Sequence, residues 1–286
     1  MAAALGHWLV YGPLWAIFLF LCLGLIGSAL IGSFLRRRRT LRRGPDAKDE
    51  KSDQEGYIVS AVMGLLALLV GFTFALAIDR FDTRRERVLD EANAIGTTYL
   101  RAQLLREPHR ARVSNLLVEY TDNRVALGEE PPGERQNRML AENERLLTDL
   151  WTATVAAFPT IQSYDFSSSF LETMNQMIDM DAARQTARGA HVPPQVFIVL
   201  FLYQFITAGV LGYVLAGDRG RRTAAFLLFL FAVSLILVID IDRPATGTIR
   251  ESQEPMLRLQ ASLRSQPPQI FDRFNEPAPA APPASR

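Results

Sequence analysis

Side chains able to do covalent or metal chemistry are few in this chain, and they are scattered. Histidine occurs only at His7, His109 and His191, and cysteine only at Cys22. Zinc and iron sites need several nitrogen, sulfur or oxygen ligands converging on one point, and no spacing here supplies a set. No phosphate-cradling glycine loop, nucleophile elbow or His-Glu-x-x-His pattern occurs. The hydroxyls of GTTYLR and GTIRES have no neighbouring base. The sequence therefore points to no enzyme, no metal site and no cofactor. A net charge of +1 gives no reason to expect nucleic acid as a partner. What remains is charge at the ends of apolar runs. Asp79, Arg80, Asp82, Arg84, Arg85, Glu86 and Arg87 crowd one such end, and Asp240, Asp242 and Arg243 mark another. On a helix, Asp82 can pair with Arg85 and Arg87 with Glu91. Acids and arginines at a membrane boundary can attract or pass small ions, or pair with one another across the two groups.

These charges are positioned by four apolar runs. A hydrocarbon core of about 30 Å needs roughly 20 helical residues to cross it. Residues 8–35, 57–78, 195–216 and 223–239 qualify. The first lacks a basic leader and a cleavage site, so it reads as a retained span rather than a signal peptide. On the second span, Gly64, Ala67, Gly71 and Ala75 share one face, and Gly64, Leu68 and Phe72 recur every four residues beside it. Small residues let helices approach closely in lipid. An apolar row at that spacing can also narrow a pore that gates by dewetting.

The polar middle, 80–194, reads as a helical extramembrane domain. Val88, Ala92, Ile95 and Tyr99 carry an apolar stripe on from the second span with no glycine or proline between. Breaks at Glu107-Pro108, at GEEPPG and near Pro159 divide the rest into helices. Their cores are predicted at Val113, Leu117 and Tyr120, then Leu146, Leu150 and Trp151, then Phe170, Met174 and Met177. The fold class is all-α, with a hairpin of spans over 1–79, the domain over 80–194, a second hairpin over 195–240 and a helical extension over 241–265. Residues 40–55 and the proline-rich 266–286 are expected to be disordered. Lysine and arginine in short loops mark the cytoplasmic side. The loop 36–56 carries eight and the loop 217–222 carries three. The count places both loops in the cytoplasm, in a bacterial inner membrane, and the helical domain in the periplasm.

Three stretches, GFTFALAIDRFDTRRERVLDEANAIGTTYLRAQLL, MNQMIDMDAARQTARGAHVPP and IDIDRPATGTIRESQEPML, resemble the bacterial bestrophin-like family. With the four spans they cover nearly all of the chain except the tail. Gly71-Phe72 followed by Arg80-Phe81 is similar to the second span of the bestrophins, where Asp82 replaces a second tryptophan. The resemblance implies a homo-oligomeric, pentameric channel for small monovalent ions, anion or cation undecided. It implies a pore lined by the second span, with Gly64, Leu68 and Phe72 at the constriction and Asp79 and Arg80 at the mouth. Gly64 departs from the family's apolar side chains. The calcium-holding acids of animal bestrophins are reduced here to Asp240 and Asp242, so no metal is carried over. Bestrophins hold their helical domain in the cytoplasm, opposite to the charge count. The alternative function is a membrane-anchored structural or sensory protein whose helical domain binds a partner without conduction.

Overall fold

The structure is a computed structural model and describes residues 2–43, 52–215 and 217–273. Among the described residues every regular element is helical. In chain order the α-helices are α1 (Ala2–Tyr11), α2 (Leu14–Arg43), α3 (Ser52–Ala102), α4 (His109–Glu129), α5 (Glu134–Ala157), α6 (Phe166–Gly189), α7 (Pro194–Val214), α8 (Gly217–Asp242) and α9 (Glu254–Ser265), with short 3-10 turns at Phe158–Thr160 and Pro268–Asp272. Four of them, α2, α3, α7 and α8, are long and apolar enough to cross a membrane. The chain divides into a membrane unit, Met1–Thr83 with Arg188–Glu251, and a helical unit, Arg84–Ala187 with Ser252–Arg286.

In the membrane unit the first apolar run is two helices rather than one. Proline has no N–H to give, and the chain turns at Gly12-Pro13 between α1 and α2. The arginines expected in the hairpin loop 36–56 instead extend α2 to Arg43, so that 40–43 of the segment expected to be disordered is helical, and α3 already begins at Ser52. Arginine is a good helix former, and cations suit the negative end of a helix. Residues 44–51 lie outside the described residues. The second expected loop, 217–222, is the first turns of α8. Helices α2 and α7 touch backbone to backbone. A Cβ on Gly32 would overlap the Gly209 carbonyl, and one on Gly212 the Ala29 carbonyl. Without a hydrophobic driving force between spans, such close approach supplies much of the association energy.

In the helical unit, Val88, Ala92, Ile95 and Tyr99 are buried with Leu117, Leu150, Phe170 and Met174, as the stripes predict. Met256 and Leu263 of α9 belong to the same core. Trp151 departs from its prediction and is 40% exposed, because the buried face of α5 runs through Leu146, Leu150, Ala153 and Ala157. The segment expected to be disordered from 266 is ordered as far as residue 273. Tyr99 donates to the Gln266 carbonyl and its ring packs on Phe271, while Arg110 grips both oxygens of Asp272. Residues 274–286 lie outside the described residues.

At the centre of this unit lies a cluster of four charges that are nearly inaccessible to water. Glu91 (α3), Arg124 (α4), Asp181 and Arg184 (α6) are each at most 3% exposed. Arg124 Nη1 lies 2.8 Å from Asp181 Oδ1, and its Nε 2.5 Å from Glu91 Oε1. Arg184 Nη1 donates to Glu91 Oε2 at 2.5 Å and Nη2 to Gln253 Oε1 at 2.6 Å. The Tyr120 hydroxyl donates to Glu91 at 3.1 Å, and the Asn143 amide to both Asp181 oxygens at 3.2 Å. The expected Arg87–Glu91 pair does not form, and Arg87 pairs with Asp90 instead. Burial pushes the Glu91 carboxyl up, but the guanidiniums of Arg124 and Arg184 outweigh it and hold it below its usual value. Burial and then Glu91 raise the Tyr120 hydroxyl well above its own, so it stays a donor.

Two outcomes follow. Gly212→Leu should destabilise the α2–α7 pair by upward of about 3 kcal/mol through overpacking, read as loss of monodisperse protein in detergent. Glu91→Gln leaves two buried guanidiniums undercompensated and should cost about 3–5 kcal/mol. A depressed carboxylate contributes stability above its unfolded value of about 4.3 and loses it as pH falls through the folded value. Hydrogen exchange of α4 and α6 should therefore accelerate below about pH 4 in the wild type, and this acid-dependent step should be smaller in Glu91→Gln.

Candidate functional site on the second span

Helix α3 buries one side and leaves the other without neighbours among the described residues of the protomer. Leu66, Val70, Thr73 and Ala77 are each no more than 8% exposed. They recur at three and four residues, the spacing of one helical face. The opposite face carries Gly64, Ala67, Leu68, Gly71, Phe72 and Ala75, all exposed. Leu68 is 52% and Phe72 66% exposed. A Cβ added at Gly64 or Gly71 would meet nothing within 4 Å. These glycines therefore serve no close contact with the described residues of the protomer, in contrast to Gly32 and Gly212.

The charges beyond this face separate. Asp79 lies seven residues after Phe72, on the same side, and is exposed. Arg80 turns about 100° further round. It is half-buried, and its Nε has no hydrogen-bond partner. A ring of copies meeting on this face would present apolar side chains at positions 68 and 72 and a carboxylate at 79, seven residues beyond Phe72 and eleven beyond Leu68.

The second sequence group behaves differently. Asp240, Asp242 and Arg243 are each no more than 5% exposed. Asp240 accepts from the Thr248 amide at 2.7 Å and from its hydroxyl. Asp242 accepts from the Val192 amide at 2.9 Å, with His191 Nδ1 at 3.6 Å from its other oxygen. Arg243 Nη1 donates to the Gly12 carbonyl at 2.8 Å, and the Thr246 hydroxyl to Val10. Both acids thus accept from backbone amides, Asp240 also from a hydroxyl, and both lie close enough to Arg243 to act on its charge. The motif fastens the exit of α8 to the α1–α2 corner and to the entry of α7. Gly247 is required where the loop folds back, since a Cβ there would stand 2.6 Å from the Asp240 carbonyl oxygen. Among the described residues no three or more His, Cys, Asp or Glu side chains gather as a metal site.

Sequence reading missed the buried Glu91 cluster. Its signal was charge in the core register, with Glu91 three residues after Val88, Arg124 four after Tyr120 and Asp181 four after Met177.

Comparison with known proteins agrees with this architecture. Crystal structures of point mutants of a bacterial bestrophin homolog from Klebsiella pneumoniae superpose on the chain. One has a TM-score of 0.64 at 16% identity, covering 87% of this chain and 99% of that one. Another has a TM-score of 0.61 at 14% identity, covering 86% and 99%. A crystal structure described only as a mutant membrane protein has a TM-score of 0.64 at 15% identity, covering 85% and 97%. At such identities the likeness is one of fold. No curated protein sequence matches the chain significantly. The Bestrophin-like domain profile matches residues 23–256, four spans and the intervening helical domain together, and the chain belongs to the bestrophin-like family.

Proposed function

We propose that the chain assembles as a homo-oligomer, a pentamer as in the bestrophins, into a channel for small monovalent ions. The pore is lined by the exposed face of α3. The observation that carries this reading is the pairing of a buried stripe, Leu66 to Ala77, with an opposite face of small and apolar residues unpartnered in the protomer. Lipid alone gives no reason to place Gly64, Ala67, Gly71 and Ala75 on one side, whereas close approach of another helix does. Leu68 and Phe72 form the dewetting constriction. Gly64 contributes backbone only, and Asp79 supplies the charge at the mouth with Arg80 behind it. Membership of the bestrophin-like family supports the same reading.

Purified chain reconstituted in liposomes should pass monovalent ions, and Phe72→Ala should raise the flux several-fold by widening the constriction. Liposomes that stay silent while the oligomer is intact would overturn the channel in favour of a non-conducting membrane anchor.

The arginine bias supports an orientation with α2's end and the start of α8 in the cytoplasm of an inner membrane and the helical unit outside. In a background lacking Cys22, Gly133→Cys should react with an impermeant maleimide on intact spheroplasts, and Thr40→Cys should not. The reverse pattern would assign the helical unit to the cytoplasm.

A further inference from the structure

A groove of 360 Å³ runs along the membrane unit between α2 and α8, floored by α7 at Gly212. Its α2 wall passes from Cys22 to Ser33 and its α8 wall from Ala232 to Arg221. Both walls are twelve residues long, a rise of about 16 Å over eleven steps of 1.5 Å. That is close to half of a hydrocarbon core of about 30 Å, the depth of one leaflet. Between the ends the lining is aliphatic and aromatic, including Leu25, Ala29, Leu228 and Phe229.

Charge gathers at one end only. Ser33 and Arg221 stand there, and Arg36, Arg37, Arg38, Arg39, Arg42 and Arg43 follow Ser33 along α2. Arg219 and Arg222 flank Arg221. Across 36–43 and 217–239 the sequence sets nine arginines against one acid, Asp218. Arg36 donates to the Tyr213 and Val214 carbonyls, and Arg39 to the Tyr213 hydroxyl, which draws both towards the end of α7. An apolar slot one leaflet deep, with guanidinium groups at headgroup level, has the shape and polarity of a single phospholipid. Arginine forks match phosphate oxygens, and basic pockets between spans select anionic headgroups.

We infer that this groove binds an anionic phospholipid, one acyl chain between α2 and α8 and the phosphate at Arg221. The site is separate from the α3 face and stands whether or not the assembly conducts. Native mass spectrometry of the full chain in detergent, titrated with phosphatidylglycerol or phosphatidylcholine, tests it. Phosphatidylglycerol should be retained several-fold better than phosphatidylcholine. Arg221→Gln, which removes the charge, and Ala225→Trp, which fills the slot, should each reduce that retention several-fold. Equal retention of the two lipids overturns the inference. So does loss with Arg221→Gln but not with Ala225→Trp, which means lipid held on the arginine surface alone. On the wild-type chain, the reaction of Cys22 with a small maleimide should slow with phosphatidylglycerol and not with phosphatidylcholine. A Cys22 that is already blocked in lipid-free oligomer and becomes reactive on dissociation means that a second copy covers the groove, and overturns the site.

Discussion

The helical unit depends on one carboxylate. Glu91 occupies a core register on α3, beside Val88, Ala92 and Ile95, where an apolar residue would be the cheaper choice. An unpaired charge there is prohibitive, so two guanidiniums must come to it. Arg124 arrives from α4 and Arg184 from α6, and Asp181 balances the second positive charge. Tyr120, Asn143 and Gln253 fill the remaining directions. The network therefore touches α3, α4, α5, α6 and the residue preceding α9. Apolar packing tolerates a slipped register more readily than hydrogen-bonded charge does. Rotating any one of these helices by a single residue would swing its polar groups about 100° away and strand buried charge. A constraint of this kind selects one arrangement of the bundle even where it adds little net stability.

Much of this fold is visible in the sequence because periodicity and breakers act locally. The stripe Val88, Ala92, Ile95, Tyr99 and the breaks at Pro108, GEEPPG and Pro159 depend on neighbours within a few residues. The charge cluster was hidden because its contacts join residues 33 and 93 positions apart. Taken singly, Glu91 reads as the edge of a stripe with Arg87 one turn away. The tertiary partners win because they are buried and the local pair is not. The acids of IDIDRP have a role that no local pattern announces. A carboxylate at a span end suggests charge pairing, and Asp240 and Asp242 in addition accept from the amides of Thr248 in the turn and of Val192 before α7. For the candidate pore, the four-residue row Gly64, Leu68, Phe72 was legible as a face. Which side of α3 the protomer leaves open was not, since it depends on where the other spans lie.

Glycine in this chain separates two kinds of contact. At Gly32 and Gly212 the protomer itself explains the missing side chain, because carbonyl groups of the facing helix occupy the space. At Gly64 and Gly71 the same residue type faces no atom within 4 Å. Glycine inside a helix costs about 1 kcal/mol relative to alanine, so two of them on one exposed face need a compensating contact. A neighbouring chain in the proposed assembly would supply it by allowing backbones to approach. Lipid, which fills any outline, does not. The face is thus better suited to a symmetric assembly than to a boundary with acyl chains.

The arginines at the end of α2 combine two jobs that a loop count treats as one. Arg36 donates to the last carbonyls of α7, groups that a helix end leaves unsatisfied, and so it would be useful on either side of a membrane. Arg39 is likewise engaged with Tyr213. Subtracting both leaves Arg37, Arg38, Arg42 and Arg43 on α2, with Arg219, Arg221 and Arg222 at the start of α8. That remainder still exceeds the basic content of the segment before Trp8, which has none, and of 241–260, which has three. Moving so many guanidiniums across a bilayer during insertion opposes the orientation that the bestrophins adopt. The opposing weight is the shared fold, which fixes how the spans pack and says nothing by itself about which leaflet they enter from. Charge acts on insertion and packing acts afterwards, so the charge bias is the more direct physical guide to sidedness.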